Sequence, residues 1–321
     1  MKRNKKWLLI LTVITLLLTA CQTQTAEKNG VEQGLGSYRE KLADLTKMTG
    51  KAVFTDVGLQ RATVMRGFGV DEENKAFYIS QPYRDEPSDL ILTKVESIDN
   101  TWQGTEWMHV WESGYGGLCF EKGKDGNPYL WMESNGTLED VGSTISYVEW
   151  QNETFLQTEY GQTFSFDETK YGNPSPQIDE ENDWLVLRMT GGDDGPFYAF
   201  YDRSSLLNGE DAECIYKVSC ASGQKASSGV DDSRGRYGTI TCRGFAVGGG
   251  YIYQVHGNAN GKIYITAFDL KGNLVYCHLV SEYEDLSYRE PEGLAYVDGK
   301  IYLLLATGSS SDYLASVIVF E

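Results

Sequence analysis

The sequence predicts an all-β fold, and three observations carry that prediction. Short alternating or continuous apolar runs recur through the whole chain after about residue 50, bounded by Gly, Asp and Asn. A hairpin pattern appears five times: a short strand, a polar turn, then a longer aromatic-rich strand. Its copies begin at Arg66, Gly116, Ser175, Arg243 and Glu292, and "VDEENKAF" nearly repeats as "IDEENDWL". Each of the first four copies is followed by two more strand-like runs, giving four strands per unit at a spacing of 49 to 68 residues. Such units stack radially, so the fold class is a five-bladed β-propeller.

The elements follow in order. Lys2, Arg3, Lys5 and Lys6 precede an apolar run from Trp7 to Leu18 that ends in "LTAC" at Cys21. This has the basic and apolar regions of a secretory signal, and about 12 apolar residues fall short of the ~20 that span a bilayer. The cysteine after a small residue resembles a bacterial lipobox, which implies cleavage before Cys21 and its acylation. Residues 1–20 are therefore expected to be a lipoprotein signal peptide, 21–50 a polar tether with a short helix at "YREKLADLTKMTG", and 51–321 the propeller.

The first four units pair their hairpins with "DLILTKVES" and "TEWMHVWES", "TISYVEWQ" and "FLQTEYGQTFSF", "FYAFYDRSS" and "ECIYKVSC", then "KIYITAFDL" and "LVYCHLVSEY". The fifth has only "YLASVIVFE" before the chain ends. "KAVFTDVG" at 51–58 is the unassigned strand-like run, so it is expected to supply the fourth strand and close the ring.

Charge narrows the partners. The chain carries −18, and loss of the four basic residues before Cys21 takes it to −22. That surface repels nucleic acid and anionic headgroups, so the lipid, not a basic patch, is expected to hold the protein at the membrane. The five cysteines beyond Cys21 fit no metal spacing and are expected to be core thiols, with a Cys214–Cys220 bridge as an alternative. No cofactor motif, phosphate loop or nucleophile elbow is present.

Connectivity then sorts the loops. Those between strands two and three share one face with the starts of the first strands, and they are the varied ones. Aligning the units places Arg66, Gly116, Ser175, Arg243 and Glu292 around that end of the central channel. Glu292, not Glu290, is expected to face the arginines. Tyr115, Asp193, Asp194 and His256 lie at or near the same face and complete the candidate ligand-binding set; "GGDDGP" around Asp193 and Asp194 has the composition of a Ca²⁺-binding turn or of a solvated one. Glu292 with Asp193 and Asp194 is the set a hydrolase or lyase would need. No catalytic role is assigned to them, and binding without chemistry is the leading reading.

The stretches "FGVDEENKAFYISQ", "WMHVWESGYGGLCFEKGKDGNPYLWMES" and "EPEGLAYVDGKIYLLLATG" resemble the five-bladed propellers of receptor-binding proteins from phages of Gram-positive bacteria, and the related helveticin J-type bacteriocins. The resemblance covers most of 51–321. It implies contact with envelope glycopolymers such as teichoic acids. The family's Gly-His-Gly before the second blade is Gly114-Tyr115-Gly116 here, and the lipid anchor is a further departure.

Overall fold

The computed structural model describes residues 35–321 except 84–88, 136–143, 159–160, 169–173, 190–195, 221–241, 283–285, 287 and 310, together with the side chains at 115 and 116. The expected signal peptide and Cys21 lie outside the described residues, as do Asp193, Asp194 and the side chain of Tyr115.

Among the described residues, 21 strands form five sheets. Strand β1 (Gly50–Val57) stands apart in sequence from its sheet. The first blade holds β2 (Gly67–Asp71), β3 (Ala76–Pro82), β4 (Asp89–Ile98) and β5 (Thr101–Trp111). The second begins with β6 (Ser113–Lys122), β7 (Pro128–Ser134) and β8 (Thr144–Glu149). It is then interrupted by β9 (Thr154–Gln157) and completed by β10 (Gln162–Ser165). The third consists of β11 (Ser175–Asp179), β12 (Trp184–Met189), β13 (Phe197–Asp202) and, after a short helix α1 (Arg203–Leu207), β14 (Tyr216–Ser219). The fourth contains β15 (Cys242–Gly248), β16 (Tyr251–His256), β17 (Ile263–Asp269) and β18 (Leu274–Val280). The fifth contains β19 (Glu290–Val297), β20 (Lys300–Ser309) and β21 (Asp312–Phe320).

The ring closes as the sequence predicts. β1 pairs antiparallel with β21, from Gly50 opposite Phe320 to Val57 opposite Ala315, and becomes the outer strand of blade five. The second blade differs from expectation. "FLQTEYGQTFSF" is not one strand: β9 leaves its own blade and pairs in parallel with β5, His109 opposite Phe155. The buried Leu156 joins the apolar layer between blades one and two, which holds β9 there.

The core lies between blades. One cluster joins blades four and five, another blades five and one, a third blades one and two, and a fourth blades two and three. Inner strands therefore have both faces covered; every residue of β2 and β3 is buried, which is why they read as continuous apolar runs. Outer strands such as β18 show alternation instead.

The repeated "DEEN" has a physical cause. Asp71 accepts hydrogen bonds from the Asn74 backbone (3.1 Å) and side chain (2.8 Å), and Asp179 does the same for Asn182 at 3.2 and 2.9 Å. "Asp-Gly" at 298–299 forms the two-residue turn with both φ values positive, 47° and 83°.

No helix forms in "YREKLADLTKMTG" beyond a turn at 45–47. Residues 39–49 belong to the compact unit Arg39–Glu321, with Ala43 and Leu45 buried in the apolar layer of blades four and five. The Tyr253 hydroxyl oxygen accepts the Ala43 N–H (2.9 Å), and the Tyr276 hydroxyl donates to the Ala43 carbonyl (2.6 Å). Tertiary contacts thus override the local helical pattern.

Candidate functional site

At the end of the ring where the first strands begin, Arg66, Ser175, Arg243 and Glu292 line one cavity of about 40 Å³. Four of the five residues that the sequence aligned are therefore brought together. Glycines make this convergence feasible. A Cβ on Gly244 would stand 2.7 Å from the Gly293 backbone, and one on Gly67 would stand 2.9 Å from the Leu118 nitrogen. Inner strands of neighbouring blades thus approach backbone to backbone one residue beyond Arg66, Arg243 and Glu292.

A second device aims the side chains. The pairing of β15 with β16 slips between Cys242 and Gly244, and that of β19 with β20 slips between Pro291 and Gly293. Arg243 and Glu292 fall at the same step, each at a bulge that frees the residue from the ladder. Ser175 has no such slip, pairing in register with Arg188, and its hydroxyl accepts the Gly117 N–H at 2.6 Å. It joins blade two to blade three.

Glu292 faces both arginines, but the direct ion pair goes to its neighbour Glu290. Arg243 Nη2 bonds Glu290 Oε1 at 2.7 Å, and the Tyr288 hydroxyl donates to Glu290 Oε2 at 2.8 Å. Glu290, not Glu292, is the carboxylate in a direct ion pair with Arg243. Glu292 is 6 % exposed and its Oε1 has no hydrogen-bond partner. Burial, reinforced by the Glu290 charge, pushes its carboxyl up to about 8, against the opposing pull of Arg243 and Arg66.

The channel narrows below this point. Phe68 and Gln177 line both the upper cavity and one of about 200 Å³ at the opposite end. That lower end carries Asp71, Glu72, Glu73 and Glu180, with Lys122 bonded to Glu73 at 2.6 Å and Lys300 bonded to Glu72. These pairs tie blade to blade.

His256 is not a mouth residue. It is fully buried within blade four, with Nε2 3.2 Å from the Thr266 hydroxyl. The described cysteines are unpaired, so no Cys214–Cys220 bridge forms, and Cys277 is exposed where a core thiol was expected. Among the described residues no group of three or more His, Cys, Asp or Glu side chains could hold a metal ion.

One feature escapes the sequence reading. On the outer part of blade one, Trp111 and Phe155 are 43 % and 56 % exposed, with ring centroids 6.0 Å apart. Beneath them His109 is buried, bonded to Asp89, and in ring contact with Tyr83, Trp111 and Phe155. Arg61 lies 4.3 Å over the Tyr83 ring. This aromatic shelf exists because β9 crosses to the neighbouring blade, and only the exposure of Phe155 in a strand-like run hints at it.

Comparison with known proteins fits this architecture. No family model matches the chain. A Bacillus subtilis (strain 168) protein, provisionally named major teichoic acid biosynthesis protein C, is 23% identical over 274 residues, covering 80% of this chain and 57% of that protein. The chain thus spans little more than half the length of that relative. Among solved structures, the tail fiber of Staphylococcus aureus phage P68 superposes with a TM-score of 0.63 at 18% identity, covering 91% of this chain and 55% of the fiber chain. The fold is accordingly a five-bladed β-propeller of the kind found in that fiber. An exo-β-1,3-galactanase from Phanerochaete chrysosporium gives a TM-score of 0.44 at 10% identity, with 85% and 64% of the two chains covered, and nothing about chemistry carries over at that likeness.

Proposed function

We propose that the protein is an extracytoplasmic lipoprotein, anchored by acylated Cys21, whose propeller binds a cell-envelope glycopolymer without chemistry of its own. The observation that supports binding is the preformed mouth: two arginines and a buried carboxyl with a free oxygen, aimed by matching bulges. The aromatic shelf offers exposed rings on which sugars stack, and the relative named for teichoic acid biosynthesis favours an envelope polymer as the ligand class.

The hydrolase reading needs two carboxyl groups flanking a substrate. Of the set read for it, Asp193 and Asp194 lie outside the described residues, and the carboxylate beside Glu292, Glu290, is already held by Arg243 and Tyr288. The helveticin-type alternative is a released, bacteriocin-related protein; acylation at Cys21 instead keeps this one on its producer.

The test is capture of purified wall polymers by the mature protein. Arg243→Ala and Trp111→Ala are expected to weaken capture while leaving the fold intact, with no shortening of the polymer. Polymer cleavage lost in Glu292→Gln would favour the enzyme. Cys21→Ala is expected to leave the detergent phase on partitioning; unchanged partitioning would remove the anchor from the proposal.

A further inference from the structure

We infer that the cavity among Arg66, Arg243 and Glu292 takes one phosphate group of a phosphodiester-linked chain, with Glu292 donating a hydrogen bond to it. This rests on the glycopolymer reading above and specifies which part of the polymer enters the channel mouth.

Size comes first. About 40 Å³ has room for a few waters' worth of atoms, which suits the non-bridging oxygens of one phosphate and not a sugar ring. The sugar or polyol on either side would remain outside, over the face of the ring.

Charge comes next. The groups facing Glu292 are Glu290 on the same strand, Arg243 on β15 and Arg66 ahead of β2. From β11 come only the uncharged Ser175 and Gln177. Glu290 is matched by Arg243 and receives the Tyr288 hydroxyl. With Glu292 neutral, the charged groups around it among the described residues are two guanidinium groups and one carboxylate. An ammonium group entering there would be repelled by both arginines, whereas an oxyanion would be attracted by both.

The free oxygen of Glu292 supplies the third argument. A buried polar atom without a partner is costly and calls for a ligand to satisfy it. A carboxylate at that place would repel phosphate, whereas a carboxylic acid donates to it. Burial holds the proton on Glu292 up to about pH 8, so at neutral pH the donor is in place.

The test uses glycerophosphoglycerol, a phosphodiester whose single charge is constant between pH 6 and 9, titrated into the mature protein by calorimetry. Binding at pH 7 is expected to weaken by up to about tenfold by pH 9, as Glu292 loses its proton through about 8. Glu292→Gln, which keeps an N–H donor at every pH, is expected to bind at both values within about twofold. Arg66→Ala and Arg243→Ala are expected to lose binding at pH 7. Inorganic phosphate and a phosphate-free glycan form the comparison arms: a site built for a chain phosphate competes with the former weakly and ignores the latter. Undetectable diester binding, tighter binding at high pH, or an equal fall in wild type and Glu292→Gln would each overturn the inference. Wall-polymer capture that persists unaltered at pH 9 would overturn it while leaving the glycopolymer reading in place. Diester binding with the expected pH dependence but no polymer capture would do the reverse.

Discussion

Glu292→Gln should make the protein more stable, by an amount that depends on pH. In the folded chain burial raises the carboxyl from an ordinary 4.5 to about 8, while the unfolded chain releases the proton near the ordinary value. Between those values the folded state binds more protons, so stability falls as pH rises. Below about 4.5 both states are protonated and the effect vanishes. Each pH unit between the two values is worth ~1.4 kcal/mol, which sets a ceiling of about 5 kcal/mol. Local relaxation and entry of water into the mouth reduce this, and about 2 kcal/mol above pH 8 is the working figure. Glutamine keeps the shape and removes the titration. The assay is urea unfolding followed by tryptophan fluorescence at pH 5, 7 and 9. The variant's advantage over wild type should be near zero at pH 5, grow through pH 7 and level above 8. Because groups remote from Glu292 titrate alike in both proteins, the difference isolates this residue and its coupling to Glu290. A constant gap across the range would refute the buried, unpaired carboxyl.

Three further outcomes test the frame around the site. Phe54→Ala should cost ~3–5 kcal/mol in urea unfolding, because the ring packs 5.2 Å from both Phe77 and Trp102, whereas Thr55→Ala on the exposed face of β1 should stay within about 0.5 kcal/mol. Equal costs would mean that β1 does not close the ring. Deleting residues 35–49 should lower the melting temperature clearly, since Ala43 and Leu45 are buried and the backbone of Ala43 is bonded to two tyrosines; an unchanged value would assign that segment to the tether. Glu290→Gln should destabilise by about 1–2 kcal/mol at pH 7 through loss of its arginine bond, opposite in sign to Glu292→Gln, and the same unfolding assay reads it.

The contrast between the two glutamates shows where the sequence is legible and where it is not. Five hairpins, their turn chemistry and the closing strand are all local or periodic signals, and "DEEN" and Asp298-Gly299 read as turns because their side chains and φ values make them so. Arg66, Arg243 and Glu292 were found because a repeat alignment converts sequence spacing into position around a ring. The arginine's true partner was not, since a bulge is one residue of slippage that leaves no compositional mark. The crossing of β9 was hidden for a related reason: a strand-like run does not state which sheet it joins. Residues 39–49 read as a helix on local pattern and are held extended by tyrosines more than two hundred positions away.

What ties fold to site is the step at which each inner strand meets its neighbour. Where the inner strands of blades one and two and of blades four and five meet, glycine follows Arg66, Arg243 and Glu292 and lets the backbones touch. The residue just before the contact then has one open direction, toward the mouth. A bulge at that position, seen in β15 and β19, turns the side chain there without disturbing the strands outside it. A large side chain at Gly244 or Gly293 would therefore do two things at once: spread the inner strands and displace the charged residue ahead of it. The charged mouth is thus set by the same packing that closes the ring, and its geometry is fixed before any ligand arrives. A site held this rigidly would suit one small, well-defined group, as the proposed phosphate contact requires.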